Sequence, residues 1–109
     1  SNVPHLEWMP EASFGRSTRW LTTLLLQPGV NVELIASEML KENIEVRQLW
    51  KPMHQQPMFE KNQYYPHSPG VSLCDNWFSR GLCLPSGSSL SDEQISHVSG
   101  TLKNVLRRL

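Results

Sequence analysis

Three consecutive leucines, Leu24-Leu25-Leu26, stop abruptly at Gln27-Pro28-Gly29. Thr18 to Leu26 mixes β-branched and aromatic residues ahead of that apolar end, and the Pro-Gly turn closes it. The run therefore reads as a strand in the centre of a sheet. Asn31, just past the turn, can cap a helix. In that helix Val32, Ile35, Ala36, Met39 and Leu40 follow the three-and-four spacing of one buried face, while Glu33, Glu38, Lys41 and Glu42 stay wet. It should end at about Asn43.

The remaining elements alternate in the same way. Ile44 to Leu49 has the mixed pattern of a strand, and Pro52 and Pro57 then forbid regular pairing. Glu60 to Pro69 is an irregular crossing, rich in Tyr, Asn and Pro. Ser72, with Asp75 three residues on, starts a short helix that buries Leu73 or Cys74 with Trp77 and Phe78, and Gly81 supplies a left-handed stop. Leu82-Cys83-Leu84 is a short strand ended by Pro85. Ser91 and Gln94 form a capping box for a last helix, striped by Ile95, Val98, Leu102, Val105, Leu106 and Leu109. The expected fold is α+β with an α/β-type layout: a small sheet with helices packed on it.

At 109 residues and 39% hydrophobic content the chain suits one small domain with one core. Ten basic residues balance ten acidic ones, leaving no electrostatic footprint for nucleic acid and no polybasic membrane patch. No apolar run approaches the roughly 20 residues that cross a bilayer, and no signal-peptide pattern opens the chain, so a cytoplasmic location is expected. In that setting Cys74 and Cys83 are expected to be two reduced, buried thiols. Ser1-Asn2 reads as an expression scar; residues 1–13 are taken as scar and lead-in, and residues 14–109 as the domain.

Chemistry concentrates in Arg47-Gln-Leu-Trp-Lys-Pro-Met-His-Gln-Gln-Pro-Met-Phe59, where cationic, aromatic and imidazole side chains gather around two prolines. Arg47 and Lys51 suit a diphosphate, the one as a bidentate fork and the other as a mobile point charge; a solvated cation is an equal reading for Arg47 and the preferred one for Lys51, since lysine often sits exposed without a partner. Trp50 can stack on a ring or lie in a subunit interface, and the interface is the preferred reading. His54 can hydrogen-bond a ligand or stabilise its own turn. His54, His67, Cys74 and Cys83 are separated by thirteen, seven and nine residues, which matches no compact metal motif, so no metal is expected. Ser86-Gly87-Ser88-Ser89 lacks a phosphate-loop frame, and its serines lack an identifiable base.

The Arg47–Phe59 segment resembles the Arg-x-Leu-Trp-Lys-Pro-Met-His-x-Gln-Pro block in the C-terminal domain of DegT/DnrJ/StrS sugar aminotransferases. Gly15 to Leu26 is similar to the strand by which that family enters its small domain. Phe78-Ser-Arg-Gly-Leu-Cys-Leu-Pro-Ser-Gly-Ser88 resembles the Arg-Gly-Leu-x-Leu-Pro-Ser-Gly block, and Leu90 to Val98 resembles the start of the last helix. These blocks occur in the family's order, and the match runs from about Phe14 to Leu109.

The resemblance implies the C-terminal small domain of a fold type I, pyridoxal phosphate-dependent enzyme. Such an enzyme moves an amino group, usually from glutamate, to a keto sugar carried on a nucleoside diphosphate. It also implies a homodimer, with Arg47, Trp50, Lys51 and His54 shaping the sugar-nucleotide end of a cleft completed across the interface. The family's cofactor lysine belongs to a larger N-terminal domain. Lys41, Lys51, Lys61 and Lys103 match none of its motif, so this chain alone is expected to hold no cofactor and to be inactive. The alternative is a free-standing, non-enzymatic binding or assembly module derived from the same domain.

Overall fold

A computed structural model describes residues 3–109; Ser1 and Asn2, the residues read as a scar, lie outside the described part. Four strands form one sheet: β1 (Leu6–Trp8), β2 (Thr22–Leu26), β3 (Arg47–Gln48) and β4 (Gly81–Leu84), in the order β1-β2-β4-β3. Every pair is antiparallel. Helices α1 (Val32–Lys41), α2 (Leu73–Arg80) and α3 (Asp92–Leu106) complete the α+β fold.

β2 is central, as its leucine run requires. Leu24 sits opposite Leu82 of β4, and Thr22 opposite Leu84. Side chains alternate across a strand, so Leu24 and Leu26 share one face of the sheet while Leu25 takes the other; all three are buried. The core forms where Leu24, Leu26, Leu82 and Leu84 meet Val32, Ile35 and Met39 of α1 and Leu102, Val105 and Leu106 of α3. Burying one such side chain contributes roughly 1.5–3 kcal/mol, which makes this layer the main stabilising term.

The helix ends follow their sequence signals. Asn31 Oδ1 accepts from Leu34 N at 3.1 Å, and after the C-cap at Glu42 the chain reverses at Asn43 with φ of 59°. Asparagine tolerates that left-handed conformation better than most residues. At α3 the capping box closes both ways: Gln94 N donates to Ser91 Oγ at 3.3 Å, and Ser91 N to Gln94 Oε1 at 2.9 Å.

Several expectations need correction. The segment read as lead-in contributes a strand: Leu6, Glu7 and Trp8 pair with Leu26, Leu25 and Leu24. Leu40 is exposed, because it lies about 100° round α1 from the buried Met39. Ile95 and Leu109 are also exposed: the first turns of α3 flank an open groove instead of the core, and Leu109 lies past the helix end. α2 buries no residue, and Leu73, Cys74 and Trp77 all reach solvent. The expected pair of buried thiols is therefore wrong for Cys74, while Cys83 is half-buried.

Gly81 does not make a left-handed stop. It has φ of −100°, and α2 passes directly into β4 there. Its lack of a side chain serves a close approach instead. A Cβ at this position would lie 2.6 Å from the Trp77 carbonyl oxygen and would overlap the Leu49 side chain. Arg80, one residue earlier, fixes the junction by donating from Nη1 to the Leu26 carbonyl at 2.9 Å.

Candidate functional site

The chemistry-rich segment leaves the sheet edge at β3 and divides between two surfaces. The first is a groove of about 900 Å³ between the β3 edge and the start of α3. Arg47, Trp50 and Cys83 line one side of it, and Glu93, Gln94 and His97 the other. Arg47 pairs with Glu45 through Nη2 and Oε1 at 3.0 Å and is largely exposed, so its guanidinium can exchange a weak surface partner for a ligand. Trp50 stacks on Trp20 with ring centroids 6.1 Å apart, yet 63% of Trp50 and 75% of Trp20 stay exposed. His97 Nε2 is anchored 3.1 Å from the Glu42 carbonyl, joining α3 to the end of α1.

The second surface is a polar cluster beside α2. Prolines 52 and 57 bound a 3₁₀ turn at Met53–Gln55, which points His54 and Gln55 toward the first turn of that helix. His54 Nε2 lies 2.7 Å from Asp75 Oδ1, and Gln55 Nε2 donates to the same oxygen. Tyr64 stacks face to face on the His54 ring, with centroids 3.7 Å apart and planes 16° from parallel. Its hydroxyl lies 2.9 Å from Ser72 Oγ and 3.2 Å from Cys74 Sγ, and Ser72 Oγ is 3.3 Å from that sulfur.

These contacts shift the acidities of several groups in the cluster. Hydrogen bonding from Ser72, then from Tyr64, holds the Cys74 thiol below its ordinary range. The Tyr64 hydroxyl is pushed up, chiefly because it bonds to Cys74. Asp75 is held below the usual carboxylate range by Ser72 first, with Gln55 and His54 adding to it. Cys83, in contrast, is raised by burial.

The four sequence candidates are thus not gathered in one place. Arg47 and Trp50 line the groove, while His54 turns away to α2, with only 19% of its side chain exposed. Lys51 lies between them on the surface, its backbone carbonyl accepting from Gln56 Nε2 at 3.2 Å. Sequence reasoning missed Gln55, Tyr64 and Asp75 as members of a cluster. In the sequence Asp75 stands out only through the capping signal of Ser72, and that cap is present: Asp75 N donates to Ser72 Oγ at 3.3 Å. The same geometry leaves the carboxylate free to face His54.

A family model for the DegT/DnrJ/EryC1/StrS aminotransferases matches residues 2–103. This chain belongs to that family. It is 44% identical over 93 residues to EpsN of Bacillus subtilis, assigned as a pyridoxal phosphate-dependent aminotransferase, and that match covers 85% of this chain and 24% of EpsN. It is 30% identical over 87 residues to the GDP-perosamine synthase of Vibrio cholerae, covering 78% of this chain and 23% of that one. The chain therefore spans about a quarter of the length of the curated relatives it matches.

Among solved structures, the aminotransferase TlmJ from Streptoalloteichus hindustanus superposes with a TM-score of 0.78 at 19% identity, over 97% of this chain and 27% of that chain. Helicobacter pylori PseC, an aminotransferase of pseudoaminic acid biosynthesis, superposes at 0.70 with 15% identity, over 82% and 24%. At these identities the likeness is one of fold.

Enzymes that use pyridoxal phosphate hold it as a Schiff base on a lysine. Lys41 is ion-paired with Glu38, Lys51 and Lys61 are exposed, Lys103 lies on α3, and none of them lines the groove.

Proposed function

We propose that this chain is the small domain of a pyridoxal phosphate-dependent aminotransferase acting on a nucleotide-linked keto sugar, with the cofactor lysine supplied by a larger domain. The 44% identity to EpsN over 93 residues carries the reading. The relationship to a GDP-perosamine synthase supports the sugar-nucleotide class. A cytoplasmic location and a homodimer belong to the same proposal. Phe14, Trp20 and Trp50 leave large apolar surfaces exposed on this domain, and such surfaces favour cover by a neighbour.

In this reading the groove is the sugar-nucleotide end of the cleft. Arg47 swaps Glu45 for a diphosphate, which its planar fork matches with two parallel hydrogen bonds. Trp50 offers a ring face beside it, and Lys51 a mobile positive charge. His54 acts through shape: paired with Asp75 and stacked on Tyr64, it holds the turn that follows Lys51.

The deciding experiment uses the complete protein. It should show the visible absorbance of bound pyridoxal phosphate, abolished by borohydride, and with glutamate it should convert a nucleoside-diphosphate keto sugar to its amine, read by mass spectrometry. Arg47→Ala should raise KM for the sugar nucleotide while the cofactor absorbance stays. A protein with no cofactor absorbance that only self-associates would overturn the reading in favour of a binding module.

A further inference from the structure

We propose that His54, Cys74 and Asp75 form a site for a single zinc ion, which clamps the proline-flanked turn to the N-terminus of α2. The imidazole nitrogen, thiol sulfur and carboxylate oxygen of these residues all lie within 4.8 Å of one another. A tetrahedron built from ordinary zinc bond lengths has edges of about 3.3–3.6 Å. His54 Nε2 and Asp75 Oδ1, hydrogen-bonded at 2.7 Å, must draw apart by roughly 0.6 Å as the ion replaces the hydrogen between them, and the exposed Cys74 side chain rotates in to complete the set. One nitrogen, one sulfur and one oxygen are a donor set of borderline softness that suits zinc over magnesium or calcium, and a fourth position stays open to water.

The surroundings are those of a supported metal site. Ser72 and Tyr64 hydroxyls lie 3.3 and 3.2 Å from the sulfur, placed to donate to a thiolate. Gln55 donates to the Asp75 oxygen, and Tyr64 stacks on the imidazole and fixes its plane. Such outer contacts orient ligands and commonly change metal affinity by about 10–100-fold. Two anionic ligands with one neutral imidazole balance the charge of a divalent ion. Cys74 and Asp75 also lie in the first turn of α2, where the helix end favours their ionised forms. Sequence spacing could not show the site, because His54 lies twenty residues before Cys74 across an irregular crossing.

Binding changes two protons. The Nε2 hydrogen that His54 shares with Asp75 gives way to the metal, and the neutral ring carries its hydrogen on Nδ1 instead. The Cys74 thiol becomes a thiolate and releases its proton to solvent, so up to one proton leaves per zinc. No redox change occurs.

The test is titration of the purified, untagged and chelator-stripped protein with Co²⁺ as the spectroscopic probe, followed by displacement with Zn²⁺. One equivalent should produce a near-ultraviolet thiolate-to-cobalt charge-transfer band together with the visible bands of a tetrahedral ion, and zinc should erase both. Cys74→Ser should abolish the charge-transfer band, Cys83→Ser should leave it intact, and Asp75→Asn should weaken binding by more than about tenfold. In the unmutated protein, where folding is not in question, one equivalent of Zn²⁺ should block alkylation of Cys74 and spare that of Cys83. Absence of the band, its survival in Cys74→Ser, its loss in Cys83→Ser, or unchanged Cys74 alkylation in zinc would each overturn the site.

Discussion

The Nε2 atom of His54 stands 2.7 Å from Oδ1 of Asp75, across a sequence separation of twenty-one residues. That contact joins the turn after β3 to the start of α2. Gln55, which donates to the same oxygen, and Tyr64, whose hydroxyl lies 2.9 Å from Ser72 Oγ, tie the same crossing to the start of α2.

The first prediction concerns acid. Asp75 titrates lower in the folded chain than in the unfolded one, because Ser72, Gln55 and His54 favour its ionised form. Its contribution to stability is therefore complete above the ordinary carboxylate range near pH 4 and fades as pH falls toward the folded value. Asp75→Asn should lower the urea midpoint at neutral pH, and the gap from the parent should narrow as the solution is acidified. A gap of constant size would show that the carboxylate charge contributes nothing.

Thiol reactivity provides the second. Cys74 is exposed and hydrogen-bonded in a way that favours the thiolate, whereas burial disfavours it at Cys83. In metal-free solution at neutral pH, iodoacetamide should label Cys74 at least about ten times faster than Cys83. Ser72→Ala should slow Cys74 specifically. Peptide mass spectrometry over a time course measures both rates, and equal labelling would refute the assigned environments.

Gly81→Ala should destabilise the fold by about 1–3 kcal/mol, the usual cost of forcing extra volume into a packed site. The new methyl must displace Leu49 and press on the Trp77 carbonyl. Adding Leu49→Ala should recover only part of the loss, because the carbonyl remains. Full recovery in urea denaturation would mean that Leu49 alone makes the site tight.

Removing the cap of α3 by Ser91→Ala should cost about 1 kcal/mol, since the N3 amide of Gln94 loses the Ser91 Oγ acceptor while the backbone N–H of residue 91 still donates to Gln94 Oε1. Thermal unfolding should keep a single transition, shifted down by a few degrees. A helix that frays only locally would show that change in amide exchange and leave the midpoint unmoved.

How much of this was legible in the sequence depended on how local each cause is. Asn31 and Ser91 announced α1 and α3 because a cap and its first-turn amide lie three residues apart. The central position of β2 was readable from Leu24 to Leu26. β1 was not, because Leu6-Glu7-Trp8 is only three residues long and becomes a strand by pairing with β2, a relationship no local pattern encodes. α2 misled for a similar reason: its apolar residues sit over the end of the sheet without a partner layer. The cluster depends on His54, Tyr64 and Asp75 meeting across a Pro-rich crossing, so only the folded chain reveals it.

The sheet is bounded by strands of three and two residues, β1 and β3. Such stubs offer a foreign strand little ladder on which to extend, which is a common guard against open-ended fibrous growth. What the domain offers outward is side-chain shape instead of open backbone, with the stacked indoles of Trp20 and Trp50 among its exposed apolar features.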